Sequence, residues 1–255
     1  MILLAWPGAL VIGLSLGMLG SGGSILTVPV LVYLVGQEEK LAIAGSLAIV
    51  GLIAAAACLP YVRDKLVDWR TVFFFGIPGM VGTYFGAWSA AFVSGAVQLS
   101  VFAAVMLTAA YFMLNPKELT PTEHTPRGFT KITLDGLCIG ALTGFVGVGG
   151  GFLVVPALVV LGGLTMHRAV ATSLVIIALK SVAGFVKYHD VLAAEQLSID
   201  WQIITTIAAI GIIGSFVGNR WACRISQDKL KQGFGYLLVI MGVFILATSA
   251  PDAFL

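Results

Sequence analysis

Between Thr71 and Pro116 the chain runs for 46 residues without a single Asp, Glu, Lys or Arg. Coiled as a helix at 1.5 Å per residue, that run is about 69 Å long, enough to cross a hydrocarbon core of about 30 Å twice. A second uncharged run covers Met1–Gln37. Across the whole chain 59% of residues are hydrophobic and 10% are charged, against roughly 45–50% and 25% in soluble domains. Soluble enzymes, nucleic-acid binders and disordered tails are excluded by this pattern, and a net charge of +2 gives no reason to expect an acidic or nucleic-acid partner. In a lipid bilayer such a chain must satisfy its backbone internally, so an all-α polytopic membrane protein is expected.

The chain also repeats itself. Shifted by 127 residues without gaps, Leu10–Tyr61 matches Leu137–Tyr188 at 22 of 52 positions, where biased composition alone gives roughly five. The matches include Gly20 with Gly147, Gly22 with Gly149, Gly23 with Gly150, Pro29 with Pro156 and Tyr61 with Tyr188. After a short insertion the register resumes at 132, pairing Gly79, Gly82 and Gly86 with Gly211, Gly214 and Gly218. Residues 1–114 form repeat 1 and residues 132–255 form repeat 2, joined by the polar linker 115–131.

Each repeat opens with an apolar segment interrupted by Gly and Pro, about 2–36 and 133–163, and continues with three plain spans. The spans lie near 41–60, 70–92 and 97–114, then near 168–188, 201–219 and 232–249. The limb after each glycine cluster is too short to cross alone, so each opening segment reads as a broken helical hairpin whose bared backbone faces protein or a polar cavity. Basic residues choose the topology. If each broken segment returns to the side it came from, eleven positives fall on one side and only Lys40 and Lys187 on the other. The crossings per repeat are then odd and the repeats inverted, an arrangement found in transporters.

Two features point to a binding site. Gly20-Ser21-Gly22-Gly23-Ser24 and Gly147-Val148-Gly149-Gly150-Gly151 are each followed by a proline. They put bare N–H groups and positive helix ends at the break, which suits an anion. The same glycines could instead be helix-packing surfaces, the reading preferred for Gly82–Gly86 and Gly214–Gly218. The second feature is Thr172-Ser173 with Lys180, the lysine close to the middle of its span, where an ionisable group is costly and marks function by default. Ile53 holds the equivalent position in repeat 1. Ser46, the mate of Ser173, joins the candidates, although a hydroxyl bonded to its own helix is equally natural there. Cys58, Cys138 and Cys223 form no CxxC pair, and the three histidines lack ligand spacing, so no metal, cofactor or catalytic set is expected.

Gly147-Val-Gly-Gly-Gly-Phe-Leu-Val-Val-Pro156 with Ala171-Thr-Ser-Leu174 resembles the sulfite exporter TauE/SafE family, also called the toluene-sulfonate uptake permease family. Gly20-Ser-Gly-Gly-Ser-Ile-Leu-Thr-Val-Pro29 with Gly45-Ser-Leu47 repeats the pattern more loosely. The resemblance covers nearly the whole chain. It implies a transporter of sulfite, thiosulfate, organosulfonates or related small anions in the inner (plasma) membrane, often coupled to ions, protons among them. Family members often carry Asn where Lys180 stands. Substrate-binding residues are then expected at Ser21, Gly22, Gly23, Ser24, Ser46, Gly149, Gly150, Gly151, Thr172, Ser173 and Lys180. An anion channel would share every feature except alternating access. A membrane-embedded enzyme would need a nucleophile–base set or metal ligands within the spans, and none is written there.

The topology is directly testable. Both termini are expected outside, with loops 61–70, 115–131, 164–168 and 220–231 cytoplasmic. Single cysteines at Glu123 and at the C-terminus, in a cysteine-free background, should be labelled from opposite sides of the membrane. Labelling from the same side overturns the inverted arrangement.

Overall fold

The computed structural model describes residues 2–115, 129–146, 151–194, 197, 199–222 and 224–253, and every element among them is helical. The first half holds α1 (Ile2–Leu19), α2 (Gly22–Pro29), α3 (Glu39–Arg63), α4 (Trp69–Thr71), α5 (Ile77–Ala90) and α6 (Gly95–Leu114). The second holds α7 (Phe129–Val146), α8 (Gly151–Pro156), α9 (Met166–Ala194), α10 (Trp201–Ala222) and α11 (Gln227–Ala253). Among the described residues five helices are long and apolar enough to cross a membrane, in α3, α6, α9, α10 and α11. The chain is a multi-pass, all-α membrane protein.

The span expected near 70–92 is not one regular helix. A π-helical stretch, Val72–Gly76, joins α4 to α5 just before Pro78. Proline lacks an N–H and its ring clashes with the carbonyl four residues back, so the ladder widens there. π-helical turns also follow Pro29 (Val30–Val35) and Pro156 (Ala157–Leu161). Both are closed by wide bonds, from the Gln37 N–H to the Leu31 carbonyl (3.0 Å) and from the Leu164 N–H to the Leu158 carbonyl (3.0 Å). The first ends at the left-handed Gly36 (φ 80°), and the second ends at Gly162, one residue before the left-handed Gly163 (φ 66°).

The opening segment folds back on itself. Gly20, at φ 71°, turns the chain, and α2 returns antiparallel along α1. A methyl on Gly23 would fall on the carbonyl of Ile12, and one on Gly8 would stand 3.2 Å from Val30, so each glycine admits the opposite limb. The expected hairpin is therefore present in the first half; the turn at 147–150 lies outside the described residues.

Each first limb packs on a helix of the other half, α1 on α10 and α7 on α5. These seams are backbone-to-backbone. A Cβ on Gly13 would meet the carbonyl of Gly211, and one on Gly17 the carbonyl of Ser215. At the mate positions Gly140 meets the carbonyl of Gly79, and Gly144 that of Thr83. Gly82 and Gly86 lie against Leu137 and Ala141 just as Gly214 and Gly218 lie against Leu10 and Leu14, so these stripes are packing surfaces as read from sequence. Tyr61 donates its hydroxyl to the Gly17 carbonyl (3.1 Å), and Tyr188 reaches the carbonyls of Gly144 (3.4 Å) and Phe145 (3.2 Å) in the same way. Between the seams, α3 and α9 pack on each other, with Ser181 seated over Gly51.

The chain's ends and loops sort into two groups. At one end Tyr33 shares a hydrogen bond with Thr248 (2.7 Å) and sets its ring on Phe244, and Glu39 crowds Gly95 at the head of α6. At the other, the Asp68 N–H donates to the Thr172 hydroxyl (3.0 Å), and His167 lies 3.3 Å from the Ala222 carbonyl.

The seams predict opposite signs for one substitution. Gly13→Ala and Gly140→Ala should lower the unfolding midpoint by several degrees, because each methyl falls on backbone that cannot move away. Gly233→Ala, with nothing within 4 Å of its Cβ position, should raise stability by about 0.8–1 kcal/mol, the helix preference of alanine over glycine. Thermal unfolding of the three variants in one detergent checks this.

Candidate substrate site at the helix break

Gly20 ends α1 and Ser21 (φ −151°, ψ −10°) precedes the first turn of α2. Gly22 and Gly23 head that helix, so their N–H groups are among the four for which a helix holds no intrahelical acceptor, and they carry its positive end. The side chains around them are mostly committed. Ser24 donates to the Ser21 carbonyl (2.7 Å), and Thr27 to the Gly23 carbonyl (2.7 Å). The Ser21 hydroxyl is different: it is fully buried and has no hydrogen-bond partner among the described residues.

The other half closes the break. Ser173 of α9 donates to the Gly20 carbonyl (3.2 Å) and to its own Val170 carbonyl (2.8 Å). Gly151, the first residue of α8, stands so close to Ser24 that an added Cβ would lie 2.6 Å from its hydroxyl and 3.0 Å from Ile177. Ser24 and Gly151 are mates at the 127 offset. Their contact puts the heads of the two second limbs side by side, although α8 itself is only six residues long.

Ser21, Gly22, Gly23, Ser24, Gly151 and Ser173 thus converge. Ser46 donates to the Ile43 carbonyl (2.8 Å), an intrahelical bond that is one of the two readings open for it. Thr172 does not join the break; its hydroxyl accepts the Asp68 N–H and so ties the loop between α3 and α4 to α9. Gly149 and Gly150 lie outside the described residues.

Lys180 occupies a slot of its own, two turns beyond Ser173. It is fully buried, its Nζ lies 4.8 Å from the centre of the Phe75 ring, and no described residue accepts a hydrogen bond from it. Room for it exists because residue 79 is glycine: a Cβ there would fall on the lysine's Cε, 2.8 Å from Nζ. In the other half Ile53 lies against Gly211 in the equivalent slot. One of two matched apolar slots has therefore received an amine. Its neighbour Ser181 also buries a hydroxyl without a described partner, as does the Gln98 side-chain oxygen. Gln98 spends its amide on the Ala90 carbonyl (2.8 Å) at the end of α5. Neither residue was legible as special, because a lone Ser or Gln in a span carries no pattern until its neighbours are known. Among the described residues no three His, Cys, Asp or Glu side chains gather as a metal site.

Comparison with known proteins agrees with this architecture. The profile of the family described as Sulfite exporter TauE/SafE matches residues 5–245. A probable membrane transporter protein of Xylella fastidiosa is 30% identical over 244 residues, covering 92% of this chain and 91% of that protein. One from Methanocaldococcus jannaschii is 27% identical over 261 residues, with 96% of each covered, and one from Bacillus subtilis is 20% identical over 241 residues. No solved structure matches the chain.

The Ser21 hydroxyl separates binding from packing. An unmade buried hydrogen bond costs roughly 1–3 kcal/mol, so Ser21→Ala should leave the ligand-free protein as stable as wild type or more so. If the hydroxyl serves a ligand, the same variant should lose anion affinity by about tenfold, worth roughly 1.4 kcal/mol. Thermal midpoints with and without anion measure both effects. Unchanged affinity would assign the break to packing alone.

Proposed function

This chain belongs to the sulfite exporter TauE/SafE family, and we propose that it carries a small anion, a sulfur oxyanion or organosulfonate, across the inner membrane by alternating access. The membrane-transporter character follows from the family and from its relatives. The observation that carries the finer reading is the buried Ser21 hydroxyl, without a partner among the described residues, at the head of α2 and beside the head of α8. Helix heads present N–H groups and positive dipole ends, and these hold an anion without adding a fixed charge that would have to be moved with it. Sulfite, thiosulfate and sulfonates all present several oxygens that can accept such bonds.

Three further points support an inverted, rocking arrangement. The broken segment of the first half returns to the end it came from. Contacts gather residues 8, 33, 39, 95 and 248 toward one end and residues 68, 167, 172 and 222 toward the other. Each first limb also rides on a helix of the opposite half, so a rocking motion would carry the break with it. In this reading Lys180 supplies the positive charge that a travelling anion meets, either as a fixed counter-ion or by exchanging its proton during the cycle. No enzymatic chemistry is needed.

Lys180→Met is the discriminating variant, because it keeps the volume while supplying the apolar character that Ile53 has in the matched slot. It should fold with an unfolding midpoint at or above wild type. It should also lose transport of labelled sulfite or thiosulfate in proteoliposomes by about 10–100-fold, the equivalent of the roughly 1.5–3 kcal/mol of a hydrogen bond to a charged group. A step with pH in wild type that disappears in Lys180→Met would identify proton exchange on the amine. Wild-type turnover in a stable Lys180→Met protein removes the residue from the mechanism.

A further inference from the structure

Between the α1–α2 hairpin and α11 lies an open cavity of about 430 Å³. Its walls are almost wholly apolar, with Leu14 and Met18 on α1, Leu26 on α2 and Leu230 on α11, and among the described residues Lys229 is the one charged side chain lining it. The single hydroxyl on its wall, Ser15, is already bonded to the Ile12 carbonyl (3.0 Å). Among the described lining residues, the groups left to recognise a polar molecule are the ammonium of Lys229 and the indole N–H of Trp221.

Gly233, which also lines the cavity, is the informative residue. A glycine inside a helix costs stability relative to alanine, and in the seams that cost is offset by close backbone contact. Gly233 has nothing within 4 Å of where its Cβ would stand. Among the described glycines only Gly36 and Gly163 share that emptiness, and both adopt positive φ, as a turn requires. Gly233 makes no such turn and no such contact; its lack of a side chain leaves the cavity open.

The feature belongs to one half. Carried to the last spans, the 132 offset pairs buried Phe102 with Phe234, Met106 with Leu238 and Met113 with Ile245. The same offset pairs Gly233 with Val101 and Lys229 with Val97, so the other half has neither the gap nor the cation. Around Lys229, the segment 220–231 holds Arg220, Arg224 and Lys231 against one acid, Asp228. Trp221, half-exposed, lines the cavity too; tryptophan and clustered basic residues mark the level of lipid headgroups, and such clusters draw anionic lipids.

We propose that this groove binds one acyl chain of an anionic phospholipid, with the headgroup phosphate on Lys229. Leu19 and Leu26, on either side of the Gly20–Gly23 break, form part of the wall. A lipid seated there braces the hairpin that carries the break against α11, on the face where the two helices leave a gap.

Delipidated protein in neutral detergent, titrated with phosphatidylglycerol or with phosphatidylcholine of the same chains, tests this by native mass spectrometry and by thermal midpoint. Wild type should prefer phosphatidylglycerol by about fivefold, the factor expected for one lysine at an anionic surface. Lys229→Gln, on an exposed side chain, should reduce that preference to none. Gly233→Leu, which fills the groove, should lower the binding of both lipids while leaving the lipid-free midpoint at or above that of wild type, since leucine, like alanine, favours a helix over glycine. Equal binding of the two lipids by wild type would overturn the proposal, as would undiminished binding by Gly233→Leu. Inorganic phosphate raising the midpoint as much as phosphatidylglycerol would also overturn it, by showing a site for free anions. None of these readings involves transport, so the outcome is independent of what the protein carries.

Discussion

Direct backbone contact at glycine, between α1 and α10 and again between α7 and α5, is the constraint from which the remaining structure follows. Lipid tails are as apolar as leucine, so helices in a membrane gain little from burying apolar surface against one another and associate by close packing instead. Gly13, Gly17, Gly140 and Gly144 let two backbones approach to where any Cβ would collide with a carbonyl. Once α1 is held against α10 in this way, α2 can return only along the free face of α1. Its head is thereby delivered to α9, where Ser173 and Val170 close over Gly20.

Buried polar groups in the spans fall into three kinds. Most hydroxyls in the spans are spent on their own helix, as with Ser15, Thr27, Ser46, Thr83 and Thr143, and at those places they cost little and signal little. A few are spent on structure across elements, such as Tyr61, Tyr188 and Thr172. Ser21, Lys180 and Ser181 are spent on nothing described, in a medium without water to compensate. All three stand next to a glycine that makes room for them or turns the chain at them, Gly20 for Ser21, Gly79 for Lys180 and Gly51 for Ser181.

The two halves share their packing and differ in their chemistry. The paired seam glycines, Tyr61 and Tyr188, Pro29 and Pro156, and the left-handed Gly36 and Gly163 recur at mate positions. Among the departures are four at polar or open features: Lys180 for Ile53, Ser24 for Gly151, Lys229 for Val97 and Gly233 for Val101. Divergence of this kind leaves the shared scaffold intact, because these exchanges fall at a slot, a groove or the helix break and not at a backbone seam.

Much of this was legible in the chain by itself. Uncharged runs and hydropathy determined a multi-pass helical protein, and the 127 and 132 offsets determined which positions would be equivalent. The hairpin was readable because a limb of about 13 residues cannot cross alone, and the Gly82–Gly86 and Gly214–Gly218 stripes because small residues four apart share a helix face. Tertiary structure decided the rest. That α1 pairs with α10 and not with a helix of its own half depends on which grooves meet in space, and no one-dimensional pattern records it. Thr172 and Ser173 are adjacent in sequence and equally polar, yet one holds the Asp68 loop and the other the helix break, because neighbouring side chains on a helix point about 100° apart. Pro78 signalled a disturbance but not that a π-helical stretch would absorb it. Gly233 reads like any membrane glycine, and only the empty space around it, a property of all its neighbours together, distinguishes it from the glycines that hold the fold closed.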